Sequence, residues 1–187
     1  MTGTTSALEV RINARLHAVQ RGDRYEDPLA FWLEHHFPGS RVTAAGTLLS
    51  AEAEPVSCAV RADVVGDPAE VRDAVAAFLD HLGTPRGSAV LVDGLDPLFF
   101  GSTEGLALYL DGSGLAPEVY AAHDVNEFLD ELHEALGGTG TLQSFWEGEH
   151  TTAVYLYGAS AEDMQAALAE LLDKHPLARN SRLERIA

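Results

Sequence analysis

Leu8, Val10, Ile12, Ala14 and Leu16 alternate with Glu9, Arg11, Asn13 and Arg15. A period of two places the apolar set on one side of an extended chain, so a half-buried strand is expected over Leu8 to Leu16. Gln20 to Glu26 reads as a charged loop. Asp27-Pro28 then opens a helix running through Phe31, Trp32, Glu34, His35 and His36, closed by Pro38-Gly39. Arg41 to Ser50 and Val56 to Val65 form a hairpin around the acidic loop Ala51 to Pro55. Asp67-Pro68 supplies a cap and a first-turn proline, and Val71, Val75, Phe78 and Leu79 follow at helical spacing. Ser88 to Asp93 is a short apolar strand.

The same succession returns further on. Leu106, Leu108 and Leu110 alternate with Ala107, Tyr109 and Asp111, and a helix opens at Asp124. Thr141 to Trp146 and Thr151 to Tyr157 have the Thr, aromatic and β-branched composition of paired strands. Glu147, Gly148, Glu149 and His150 make the turn between them, with Gly148 free to take a positive φ. Ser160 caps a helix whose Met164, Leu168, Leu171 and Leu172 repeat the spacing of Val71, Val75, Phe78 and Leu79. His175-Pro176 stops it, because the residue before proline resists helical dihedrals. Ser181 to Ile186 is a final strand. Asp27 to Phe31 echoes Asp124 to Phe128, and Glu34 and His36 fall where Glu131 and His133 fall.

Each half therefore reads strand, helix, strand, strand, helix, strand. That order is the ferredoxin-like arrangement, and the fold class expected is α+β, two tandem ferredoxin-like units related by internal duplication. The units span 7–94 and 104–187, with Met1 to Ser6 as a frayed end. The linker over 95–103 contains an apolar knot, Leu98-Phe99-Phe100, expected to be buried. Asp111 to Pro117 is a flexible loop, and its glycines do not open a helix as a phosphate-binding loop would.

Charge changes this picture. The chain of 187 residues carries a net −17. Residues 1–86 hold 12 acids and 8 bases. Residues 87–173 hold 16 acids and no Lys or Arg, and residues 174–187 hold Lys174, Arg179, Arg182 and Arg185 against Glu184. The second unit is thus an acidic field with a basic end. Such a field repels nucleic acid and anionic membranes and accelerates encounter with a basic protein. No apolar run is long enough for a membrane helix, and MTGTTSALEV lacks the basic and apolar regions of a secretory signal. The single cysteine, Cys58, has no internal disulfide partner and reads as a small buried hydrophobe, so a cytoplasmic location is expected.

Candidate chemistry is sparse. There is no HExxH, CxxC pair, GxSxG, GxxxxGK[ST] or calcium loop, and the eight histidines show no metal-ligand spacing. No metal and no cofactor are expected. Adjacent His35 and His36 point about 100° apart on a helix and do not share one metal. The best-motivated place for a site is the side of the second sheet away from its helices. Alternation puts Tyr109, Tyr155, Tyr157 and Phe145 there, beside the turn residues Trp146, Glu147 and His150. An aromatic face needs a cover: the first unit, a second copy of the chain, or a ligand. Two functions follow. One is an acidic protein-binding module, an inhibitor, immunity or regulatory protein for a basic partner. The other is a small-molecule-binding protein or cofactor-independent isomerase, cyclase or hydrolase, with Glu147 and His150 as acid-base groups in an aromatic pocket. The sequence does not decide whether the chain is an enzyme.

Overall fold

The computed structural model describes residues 5–187, so most of the expected frayed end, Met1 to Ser6, lies outside it. Thr5 and Ser6 are already strand, paired with Val65 and Val64. The chain forms two compact units. The first comprises residues up to Ser50 together with Pro55–Ser102; the second comprises Ala51–Glu54 and Thr103–Ala187.

In the first unit, β1 (Thr5–Ile12), β2 (Arg41–Leu49), β3 (Pro55–Val65), β4 (Ser88–Val92) and β5 (Leu98–Phe100) form one sheet in the order β2-β3-β1-β4-β5. Their inward residues Leu8, Val10, Ile12, Val60, Ala62 and Val64 are buried with Leu29, Leu33, Val71, Val75 and Leu79 of the helices. Strand β1 is shorter than its alternation suggests. Asn13 leaves the ladder, its N–H donating to Ser88 Oγ at 3.0 Å and its side-chain amide to Arg86 O at 2.8 Å. Ala14 and Leu16 stay buried without being strand.

The stretch expected to be a charged loop is helical. Helix α1 (Ala18–Arg21) runs through a π-helical turn, Gly22–Glu26, directly into α2 (Asp27–His36). Its charged letters are used internally. Arg21 is buried, pairs with Glu26 and donates to Thr47 Oγ1 at 2.7 Å, while Tyr25 is wholly enclosed. Asp27 is accordingly not a cap. Pro28 lacks an N–H and its ring crowds the carbonyl four residues back, and the widened turn preceding it accommodates both. Neither His35 nor His36 points inward; His36 Nδ1 lies 2.9 Å from Trp32 O in the last helical turn. Helix α3 (Pro68–His81) begins as its sequence indicates, with Asp67 accepting from the N–H groups of Ala69 and Glu70.

The apolar knot is strand β5, not a buried plug. It pairs with β4 through Ser88–Phe100 and Val90–Leu98, and Phe99 is 71 % exposed. Pairing covers the β4 edge over Ser88 to Val90.

The second unit holds β6 (Glu104–Asp111), α4 (Pro117–Ala122), α5 (Val125–Leu136), β7 (Gly140–Glu147), β8 (Thr151–Gly158), α6 (Ala161–Lys174) and β9 (Arg182–Arg185). Helix α4 is an addition to the expected pattern. The sheet order β7-β8-β6-β9 matches β2-β3-β1-β4 of the first unit strand for strand. Both are ferredoxin-like, and the chain is α+β with that fold twice in tandem. Asp124 and Ser160 cap α5 and α6. Leu106, Leu108, Leu110, Val154 and Leu156 pack with Phe128, Leu132, Leu136, Met164 and Leu168 in one core. Among the described residues no helix is long and apolar enough to cross a membrane.

Candidate functional site

Cross-strand partners share a sheet face, so the register of the second sheet places each candidate. Tyr109 pairs with Ala153, Ser144 with Tyr155, Trp146 with Ala153 and Thr141 with Tyr157. These side chains occupy the face opposite the leucine core. Phe145 does not join them. A bulge at Gln143, between Leu142 and Ser144, shifts the register by one. One extra residue reverses the facing of all that follow it. Phe145 consequently pairs with Val154, and Glu147 with Thr152, on the helix side.

The tyrosines are buried: Tyr109 is 5 % exposed, Tyr155 0 % and Tyr157 2 %. The hydroxyls of Tyr109 and Tyr155 both donate to Glu54 Oε1 at 2.8 Å. Two donors converging on one carboxylate oxygen make charge-assisted hydrogen bonds, the stronger kind. The guanidinium of Arg182, cross-strand from Tyr109, lies 3.7 Å from the centre of that ring. The Tyr157 ring passes over Gly105, where an added Cβ would stand 2.7 Å from it. The face is a packed polar-aromatic layer. Glu54, which sequence reasoning placed in an ordinary acidic loop, is its central acceptor; its chain separation from Tyr155 hides this.

The turn residues go elsewhere. Gly148 does not take a positive φ; its missing Cβ leaves room for the Trp146 indole, which an added Cβ would overlap. His150 is exposed, with Nδ1 3.1 Å from Ser113 Oγ and its carbonyl accepting from Gly112 N–H at 2.9 Å. It lines a shallow depression with Tyr109 and Arg182. Glu147 lines a different one, of about 450 Å³, with Asp111, Tyr120, His123 and Leu177. Glu147 and His150 therefore do not face one reacting centre. Two of the acids around the larger depression have local tasks. Asp111 accepts from the N–H groups of Ser113 and Gly114 and from Asn180, which hold its carboxyl below the usual range, the Asn180 contact foremost. Asp124 caps α5.

The helix layer of the second unit carries the remaining charge. On α5, Glu127, Asp130, Glu131 and Glu134 are all exposed, opposite the buried Phe128, Leu132 and Leu136. On α6, Glu162, Asp163, Glu170 and Asp173 are exposed as well. Three of the four bases at the end of the chain are engaged: Lys174 binds Glu170 at 2.6 Å, Arg185 binds Glu104 at 2.6 Å and Arg182 pairs with Glu184. Glu104 also receives the N–H of Ala161 at the start of α6, at 2.9 Å, where helix polarity favours an anion.

The first sheet's face away from its helices is a lattice of opposite charges. Glu9 lies between Arg11 at 2.7 Å and Arg61 at 2.8 Å, and Arg41 meets Asp63 at 3.1 Å. Arg11 foremost, and Arg61 with it, hold the Glu9 carboxyl below its usual range. A depression of about 490 Å³ runs between this lattice and Asp93–Pro97. Among the described residues no three His, Cys, Asp or Glu side chains converge as a metal-binding set.

No family model matches the chain, and no curated protein matches it. Among solved structures it is similar to protein BT0572 from Bacteroides thetaiotaomicron, at 11 % identity over 97 % of this chain and 92 % of that one, with a TM-score of 0.28. It is also similar to the regulatory subunit of aspartate kinase from Thermus thermophilus, at 11 % identity over 91 % and 98 %, TM-score 0.26. A third likeness is to the first two RRM domains of the yeast poly(U) binding protein, at 14 % identity over 97 % and 99 %, TM-score 0.25. Superpositions this loose carry no functional weight, and the ferredoxin-like assignment rests on the strand order of the chain itself.

Proposed function

We propose that the chain is a protein-binding module whose second unit offers an acidic helical surface to a basic protein, as an inhibitor, immunity-type or regulatory partner. One observation carries this reading. Glu127, Asp130, Glu131 and Glu134 fall at i, i+3, i+4 and i+7, a single exposed stripe along α5, within a tract that holds no Lys or Arg. Like charges at these spacings cost a helix a few tenths of a kcal/mol per pair, about 0.2–0.5. A stripe that weakens its own helix is understandable as a steering surface, since a one-signed field raises the encounter rate with an opposite charge. The matching strand orders support an origin by duplication, the later copy having no Lys or Arg before Lys174.

The test uses an arginine-rich nonapeptide as probe. Neutralising the stripe (E127Q/D130N/E131Q/E134Q) is expected to lower the association rate about tenfold at low salt and to flatten its salt dependence. Neutralising four exposed acids of the first unit (D23N/D27N/E34Q/E70Q) is expected to leave most of the rate. Equal losses in the two variants would assign the binding to net charge alone and end the proposal.

A further inference from the structure

Helix α6 ends at Lys174, and the chain turns through His175 into a 3-10 turn, Pro176–Ala178. His175 caps that turn: Leu177 N–H donates to its Nδ1 at 3.2 Å. The other ring nitrogen, Nε2, lies 3.9 Å from Glu131 Oε2. The ring is stacked on buried Phe128 at 4.4 Å, meets His123 edge-on at 5.3 Å, and leaves 12 % of its side chain exposed. Leu177 and Ala178, which the turn positions, belong to the core of the second unit.

An imidazole that accepts a backbone N–H at Nδ1 carries its neutral-state proton on Nε2. Here that proton faces Glu131. A second proton would land on Nδ1 and set two donors head to head, so charging the ring removes the cap. The surrounding groups divide on the outcome. Burial opposes the charge most, His123 opposes it, and Glu131 from α5 favours it; the balance holds the imidazole below its ordinary range. On its own helix Lys174 is tied to Glu170 and Asp173 is exposed.

We infer that His175 is a pH-sensitive latch of the second unit: protonation breaks its bond with Leu177 and frees the Pro176–Ala178 turn from the core. Leu177 and His123 both line the 450 Å³ depression beside Tyr120, so release of the turn reshapes a wall of it. The sign is set by the depressed folded value. Stability from the neutral ring is fully present above the ordinary histidine range, near pH 6.5, and is lost as pH falls through the folded midpoint.

The experiment is NMR on the full chain, following the imidazole nitrogens and the Leu177 amide from pH 8 to pH 4.5. At pH 8 the ring is expected as the Nε2–H tautomer. Its titration midpoint is expected below that of an ordinary histidine. Exchange of the Leu177 amide, corrected for intrinsic pH dependence, is expected to rise roughly fivefold with the same midpoint, the usual worth of a cap. His175→Asn keeps an acceptor for the amide two residues on but cannot titrate, and should show no such rise. His175→Ala should exchange rapidly at every pH. An Nδ1–H tautomer at pH 8, or Leu177 exchange that ignores the His175 midpoint, would overturn the inference. So would an Asn variant that keeps the pH-dependent rise. Should the Ala variant not fold, wild type against Asn decides alone.

Discussion

The two sheets share one strand order but treat their helix-free faces in opposite ways. The first keeps Glu9, Arg11, Arg41, Arg61 and Asp63 wet and mutually neutralised. The second buries Tyr109, Tyr155 and Tyr157 and gives two of their hydroxyls the same carboxylate oxygen of Glu54. Exposed ion pairs contribute little because water solvates the separated charges almost as well. Enclosed aromatic rings with satisfied hydroxyls contribute much more, through apolar area and through hydrogen bonds that water cannot replace. Topology alone thus does not say which face of this fold is energetically decisive; the side chains on it do.

The largest difference is expected from Tyr155→Ala. Removing a wholly buried ring should cost the second unit about 3–5 kcal/mol in urea unfolding; a loss below that of Arg61→Ala would break the contrast. Tyr155→Phe keeps the ring and removes one bond to the Glu54 carboxylate, with an expected cost of about 1.5–3 kcal/mol. Gly105→Ala should cost about 1–3 kcal/mol, because the new methyl meets the Tyr157 ring and a packed layer has little slack. Asp67→Ala and Ser160→Ala each remove a helix cap, one per unit, and should cost about 1 kcal/mol in either. Equal losses there would show that the helices of the two units are held alike and that the difference lies on the opposite faces. Arg61→Ala comes last, at about 0.2–1 kcal/mol. It carries a pH signature. The Glu9 carboxyl is held below its usual range by Arg11 and Arg61, so its contribution is present above the ordinary glutamate range and lost as pH falls through the folded value. Arg61→Ala should shrink that acid-side loss in a pH series of unfolding midpoints.

The strand order of both units was legible because alternation and capping speak locally: Asp67, Asp124 and Ser160 cap the helices their positions indicate. Helix α1 and the π turn were not, since the charges of Gln20 to Glu26 resemble a solvated loop until Arg21 and Tyr25 are seen to be buried. Strand β5 was hidden for the opposite reason: Leu98-Phe99-Phe100 looks like a plug, and only its ladder with β4 explains why Phe99 can stay in water. Within the candidate site, Tyr109, Tyr155 and Tyr157 followed from a period of two. Phe145 did not, because a bulge leaves no mark in composition. Glu54 could not be found from the sequence, as nothing local distinguishes it from Glu52.

Cys58 gives these comparisons an internal reporter. It is the chain's sole cysteine, buried beneath the first sheet, with Sγ 3.3 Å from Ala14 O and its thiol pushed up by burial. A thiol-reactive dye can label it only when that unit opens. Labelling rates therefore follow the breathing of one half of the molecule, with the other half silent by construction.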